Sequence, residues 1–167
     1  MNKKFFGVFV SIFVVVMLAL PMSAVYATKP EPIPLTGTKT LTGDAVIRDI
    51  FAGTNLIELA KNGGGDWTGD IEGHALYSGL ALYKPNGEFM WVGRWVFEEA
   101  TIDGRTGGLR IGSMTKGNYL TGEGETKLWI ESGTGELSSI RGKGTEVPAP
   151  PYDFTVWDYT FDILINP

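Results

Sequence analysis

The sequence predicts an all-β, antiparallel fold, either a barrel or a sandwich. Among its 167 residues are 23 Gly and 9 Pro, and glycine-containing turns separate segments rich in Val, Ile, Thr, Tyr, Phe and Trp. Asn86-Gly87 and Asp103-Gly104 are turn sequences typical of tight hairpins. No stretch after Thr36 has the periodicity of a long helix. Tight turns between successive strands favour an antiparallel meander over a βαβ unit.

The predicted strands follow one another along the chain, with only turns between them. Alternation of apolar and polar residues defines two faces for each strand, and glycines within strands fit the bends that a closed sheet needs. The predicted strands are residues 37–41, 45–51, 54–59, 70–84, 88–101, 105–116, 120–132, 136–146 and 152–165.

The strand that begins at Glu88 is apolar on both faces. Trp91, Trp95 and Phe97 share one face, whereas Arg94 lies on the other among Met and Val residues. We expect one face to point into the barrel and the other to lie under a covering strand or a partner subunit.

The N-terminal segment has the layout of a secretory signal peptide. Lys3 and Lys4 precede the apolar residues 5–20, Pro21 follows, and small residues lead up to Ala27. Cleavage after Ala27 would release the chain as a secreted or extracytoplasmic protein with no stable membrane span. The apolar stretch nearly reaches the roughly 20 residues that cross a bilayer, so an uncleaved N-terminal anchor is the alternative.

After the signal peptide, the sequence predicts an arm and a single domain. Prolines alternate with other residues over residues 28–35, which favours an extended arm. Residues 36–167 then form one β-barrel domain, in line with the usual length of a single domain.

Composition excludes several classes of site. The chain has no Cys and a single His, His74, so disulfides, thiolate nucleophiles and multi-histidine metal centres are excluded. A net charge of -5 argues against nucleic acid as a partner. Asp66, Asp70 and Glu72 lie in a glycine-rich segment, but their spacing matches no EF-hand, and we expect a solvated loop. No metal and no cofactor is expected.

Several residues are candidates for a binding or catalytic site. His74 is the one candidate for a histidine general base. Arg94 lies in an apolar strand and needs a carboxylate or a ligand anion if it is buried; Glu58, Glu72 and Asp158 are candidate partners. Aromatic residues supply a possible cavity wall. The predicted ligand-binding residues are Trp91, Trp95, Arg94, Tyr77 and Trp157, and the weaker catalytic candidates are Arg94 and His74.

A glycine-rich segment resembles a known family. Residues 131–144 contain Gly-Thr-Gly-Glu-Leu followed by Arg-Gly-Lys-Gly, and residues 68–73 and 101–107 agree in order and spacing. Together they resemble small bacterial or archaeal allene-oxide-cyclase-like barrel domains of unknown function, which are distantly similar to dirigent proteins. The resemblance implies an all-β, antiparallel, closed barrel of about eight strands, with a cavity for an apolar ligand. Because related barrels are often oligomeric, it also implies a homo-oligomer of undefined number. It transfers no catalytic residue to this chain.

These observations favour an exported β-barrel that binds a small apolar or amphipathic ligand in an aromatic cavity. Binding is favoured over catalysis. The enzymatic alternative is an isomerase or cyclase acting on a hydrophobic intermediate, with Arg94 or His74 polarising it. A further alternative is a structural or assembly protein of the cell envelope.

Overall fold

The computed structural model describes residues 30–43, 45–150 and 154–165. The predicted signal peptide, residues 1–27, lies outside the described residues. The strands are β1 (Ile33–Leu41), β2 (Val46–Ala52), β3 (Asn55–Gly69), β4 (Ile71–Tyr83), β5 (Glu88–Ile102), β6 (Arg105–Asn118), β7 (Glu123–Gly133), β8 (Arg141–Pro148) and β9 (Val156–Leu164). A short 3₁₀ helix, Gly135–Leu137, lies between β7 and β8.

The strands form a closed antiparallel barrel. Their order is β1-β9-β8-β7-β6-β5-β4-β3, and β1 pairs with β3 to close eight strands into a ring. The ninth strand, β2, pairs with the N-terminal part of β3 and extends the sheet beyond the ring. The predicted all-β barrel is therefore confirmed. Across the described ranges, no helix is both long and apolar enough to cross a membrane.

The interior of the barrel is filled unevenly along its axis. At one end, which we call the closed end, large buried side chains pack together beneath the 3₁₀ helix. They include Trp67, Ile71, Phe97, Ile102, Leu109, Leu137, Ile140 and Ile163. Towards the opposite end the buried residues include small ones, among them Ala60, Ala81, Ser113, Thr115 and Thr126. Because small side chains cannot fill a barrel of this size, that end is hollow, and we call it the open end.

The motif at residues 131–144 seals the closed end. The hydroxyl oxygen of Thr134 accepts a hydrogen bond from the Gly108 amide at 3.0 Å, and the carboxylate of Glu136 accepts one from the Thr106 amide at 2.9 Å. Leu137 is completely buried. A side chain at Gly133 would collide with the Leu137 carbonyl. These contacts hold the 3₁₀ helix, which we call the plug, against β6 and close this end of the barrel.

Several boundaries differ from the sequence prediction. Strand β1 begins at Ile33, so the last three residues assigned to the proline-rich arm belong to the barrel. The glycine-rich segment predicted as a loop lies within β3, where the register shifts between Ala60 and Gly63. Residues 136–140 are predicted as the start of a strand, but they contain the end of the 3₁₀ helix and the turn that follows it. Leu137 and Ile140 pack into the core there, and β8 begins only at Arg141.

The two hairpins are present, although one differs in geometry. Asp103 and Gly104 both have positive φ, 52° and 72°, as a tight primed turn requires. In the Asn86-Gly87 hairpin only Gly87 has a positive φ, 89°. Its amide donates a hydrogen bond to the Lys84 carbonyl at 3.0 Å. Pro85 fixes the φ angle at the second turn position, so this loop is a turn followed by a glycine in the left-handed region.

Tyr159 connects β9 to the turn between β3 and β4 at the closed end. Its hydroxyl accepts from the Ile71 amide at 2.9 Å and lies 3.0 Å from the Thr68 carbonyl oxygen, to which it can donate. The side chain is 1% exposed. Gly37 leaves room for the ring, since a β-carbon there would collide with the tyrosine.

Replacing Tyr159 with Phe tests this connection. The variant keeps the ring but leaves the Ile71 amide without its buried acceptor, so we expect the free energy of unfolding to fall by about 1–3 kcal/mol. Urea unfolding followed by circular dichroism measures the change. Tyr119→Phe removes a hydroxyl from an exposed residue and should lower the free energy of unfolding by about 0.5 kcal/mol or less. Equal losses in the two variants would contradict the role given to Tyr159.

Candidate functional site

A cavity of about 250 Å³ occupies the open end of the barrel. Its wall is mainly aromatic, with a few polar groups at definite positions, which is the usual character of a small-molecule site. The lining residues are Lys39, Leu41, Glu58, Ala60, Tyr77, Tyr83, Phe89, Trp91, Trp95, Thr115, Tyr119, Glu146, Phe154 and Trp157.

A buried ion pair lies in the cavity wall. The Lys39 Nζ atom is 2.5 Å from Oε1 of Glu146, and each side chain is only 3% exposed. Lys39 also lies over the rings of Trp95, Trp157 and Trp67, at 4.5, 5.1 and 5.6 Å from the ring centres. Burial lowers the pKa of Lys39, while the charge of Glu146 and its hydrogen bond act in the opposite direction. The aromatic rings and the carboxylate together replace the water that the ammonium group has lost.

One oxygen of this pair has no partner. Among the described residues, Oε2 of Glu146 is buried and receives no hydrogen bond. Two nearby groups do have partners: the hydroxyls of Thr115 and Thr126 are 2.8 Å apart, and Nε1 of Trp91 donates to Ser113 at 3.3 Å. Nε1 of Trp67, whose ring lies beside Lys39 but does not line the cavity, is also buried without a partner in the described residues. The cavity wall therefore has an unused acceptor on a side chain that is almost completely buried.

The outer rim of the cavity is acidic. Glu58 lines the cavity and also lines an adjoining depression of about 490 Å³, as do Tyr83 and Tyr119. Glu58 lies opposite Asp49 in the pairing of β3 with β2. Burial and the charge of Asp49 raise the pKa of Glu58. Burial, together with the charges of Glu58 and Asp49, raises the pKa of Tyr83 to about 12.

Two glycines of β3 give the aromatic wall its space. A β-carbon at Gly65 would come within 2.7 Å of the Trp95 ring, and one at Gly63 would overlap the ring of Tyr77. The rings of Tyr77 and Trp95 in turn lie 4.9 Å apart. The glycine-rich segment therefore serves the cavity by letting two rings lie directly against the backbone.

The structure places four of the five predicted ligand-binding residues in the cavity wall: Tyr77, Trp91, Trp95 and Trp157. Arg94 does not line the cavity, because it lies on the outer face of β5, between the inward-facing residues Gly93 and Trp95. Its guanidinium pairs with Glu131 of β7, not with Glu58, Glu72 or Asp158. This pair raises the pKa of Arg94.

His74 does not reach the cavity either. Its Nδ1 atom is 2.6 Å from Oδ1 of Asp66, and both side chains are exposed on the outside of the barrel. Asp70 accepts hydrogen bonds from the amide and hydroxyl of Thr36. Within residues 30–43, 45–150 and 154–165, no group of three or more potential ligands could hold a metal ion.

Sequence reasoning missed Lys39, Glu146 and the inward position of Glu58. A signal was present for the first two. Lys39 alternates with Leu35 and Leu41, which are apolar, and Glu146 lies on the face that Gly142 and Gly144 clear. A charged residue on an inward face predicts a buried partner of opposite charge on another strand.

Comparison with known proteins supports the fold. No family model and no curated protein matches the chain. A solved structure from Shewanella oneidensis MR-1, a protein of unknown function from the DUF3224 family, has a TM-score of 0.59 and 16% sequence identity. The match covers 82% of this chain and 99% of that one. The similarity shows a shared barrel fold; the allene oxide cyclase type of barrel remains a prediction.

The ion pair makes a quantitative prediction. Lys39→Met alone, or Glu146→Leu alone, leaves a buried charge without its partner and should lower the free energy of unfolding by about 3–5 kcal/mol. The double variant removes both charges and should recover most of that loss. Chemical unfolding of all four proteins measures the coupling. Additive losses, with the double variant least stable, would contradict the pairing.

Proposed function

We propose that this protein is an exported β-barrel that binds a small apolar or amphipathic molecule in the cavity at its open end. The observation that supports this most directly is the aromatic cavity of about 250 Å³. An engineered protein cavity of about 150 Å³ binds benzene, so this one has room for a molecule somewhat larger than a single ring. Export is proposed from Lys3, Lys4 and the apolar residues 5–20, which precede small residues ending at Ala27.

The positions of the predicted catalytic residues favour binding over catalysis. Arg94 and His74 both lie outside the cavity wall, so neither contacts a molecule held there. We therefore propose a binding protein in place of the isomerase or cyclase alternative.

Ligand binding is tested by filling the cavity. Ala60 is buried and lines the cavity, so Ala60→Leu places added carbons where the ligand would lie. Phenolic, terpenoid, lipid and amine compounds are titrated against the wild type, with tryptophan fluorescence and melting temperature as readouts. At 100 times the Kd, a ligand should stabilise the wild type by about 2.7 kcal/mol.

The Ala60→Leu variant should show neither response. Val92→Leu, a change of similar chemistry on the outer face, should bind as the wild type does. A folded wild type that responds to no compound in the panel, or an Ala60→Leu variant that binds equally well, would contradict the proposal.

A second candidate function, assembly, is favoured by the outer face of β4 and β5. Four large apolar residues on this face are 37–43% exposed: Leu76, Leu80, Met90 and Val92. Leu80 pairs directly with Val92, and Met90 is two positions from Val92, whereas the Ser78–Arg94 pair separates Leu76 from them. Exposed apolar surface of this kind is typical of interaction sites. We propose that a second copy of the chain covers this face in a two-fold symmetric pair, since such a pair buries the same face on both subunits.

Substitution on this face tests self-association. Val92→Lys places a charge at the centre of the face and should convert an oligomer to monomers in sedimentation velocity experiments. Thr145→Lys, at an exposed position of β8, should leave the oligomer intact. A wild type that is monomeric at high concentration would rule out assembly through this face.

A further inference from the structure

The charges around the cavity do not cancel. At its buried end, Lys39 and Glu146 neutralise each other. At the rim, Lys84 is paired with Glu88 at 2.7 Å. Neither Glu58 nor Asp49 forms an ion pair with any residue in the described part of the chain, so these two carboxylates at the rim have no counter-ion.

The aromatic wall already accommodates one cation, which belongs to the chain itself. The Lys39 ammonium group lies over three tryptophan rings and contacts one carboxylate oxygen. The same combination of rings and carboxylate recurs nearer the rim. There the ring of Tyr83 lies 5.8 Å from that of Phe89 and 5.9 Å from that of Tyr119, and Glu58 lines the same space. No Lys or Arg of the described ranges lies over these rings.

The polar groups of the cavity also favour a donor over an acceptor. Two buried side-chain atoms of the described residues lack a partner, Nε1 of Trp67 and Oε2 of Glu146, and of these only Oε2 of Glu146 belongs to a cavity-lining residue. That oxygen can only accept a hydrogen bond while the carboxylate is ionised. At the rim, the raised pKa of Glu58 reflects burial beside Asp49 without a counter-ion. An anionic ligand would add a third negative charge to those of Glu58 and Asp49. A cation would instead supply the counter-ion that Glu58 lacks.

We propose that the ligand of this cavity is an organic cation: an ammonium group on an apolar body of one or two rings, with its charge held at Glu58 among the rings of Tyr83, Phe89 and Tyr119. This inference rests on the proposed function of the cavity as a ligand site, and it names the chemical class of the ligand. The body of the ligand lies deeper, against Trp91 and Trp95. Cation recognition by an aromatic cage with an acidic residue follows the same physical rule that holds Lys39.

Three probes of similar size separate the possibilities. At pH 7, 2-phenylethylamine is a cation, 2-phenylethanol is neutral with the same number of heavy atoms, and phenylacetate is an anion. Titration of the full chain by calorimetry, with tryptophan fluorescence as a second readout, should give a Kd for the amine at least about tenfold lower than for the alcohol. Phenylacetate should bind most weakly of the three.

Glu58→Gln identifies the source of the preference. The variant keeps the shape of the side chain, and we expect it to fold because Glu58 is only partly buried and its carboxylate forms no ion pair with a cation in the described part of the chain. The preference for the amine over the alcohol should fall to about threefold or less. Glu99→Gln, a change on an exposed residue of β5, should leave it unchanged. In the wild type the preference should also weaken as salt concentration rises.

The outcomes distinguish this inference from the proposed function. If the alcohol or phenylacetate bound as tightly as the amine or more tightly, the ligand would not be a cation. The cavity would still be a ligand site in that case. An unchanged preference in a folded Glu58→Gln variant would overturn the role of Glu58. If none of the three probes binds, and the broader panel also fails, the proposed function itself is wrong.

Discussion

The buried ion pair between Lys39 and Glu146 is the interaction on which the open end of the barrel depends. Removing either charge from water costs several kcal/mol, and that cost is offset here by their contact and by the three tryptophan rings around Lys39. The arrangement spans β1 and β8, with Trp157 of the intervening strand β9 against the ammonium group. One interaction thus brings three tryptophan rings and a carboxylate together, and it leaves one carboxylate oxygen without a hydrogen-bond partner in the described residues.

The two ends of the barrel have complementary roles. At the closed end, large side chains, the hydrogen bonds of Tyr159 and the 3₁₀ plug stabilise the fold. The open end has Ala, Gly, Ser and Thr at inward positions and so gains less from apolar burial. Apolar burial is concentrated at one end of the barrel, which allows the other end to remain hollow, as the proposed binding of a ligand requires.

The fold could largely be predicted from the sequence because it depends on local signals. Alternation along β5 and β9, together with the Asp103-Gly104 turn, predicts an antiparallel barrel and places Trp91 and Trp95 on one face. The site could be predicted only in part, because it depends on which strands face each other across the interior. Lys39 and Glu146 are 107 positions apart, and their contact requires β9 to lie between their strands. Arg94 is predicted to bind the ligand because it lies in an apolar strand, but both faces of that strand are apolar, so the pattern does not show which face points inward.

Native mass spectrometry of the protein purified from its own cells tests the central claim most directly, because it weighs the chain together with anything held in the cavity. We predict a chain that begins at Thr28 and carries a small molecule, released on mild activation, with a mass that fits a cavity of about 250 Å³. The molecule should be detected as an amine in the released fraction. A folded protein that has only the mass of its own chain, and gains none when incubated with the compound panel, would contradict the claim that the open end is a ligand site.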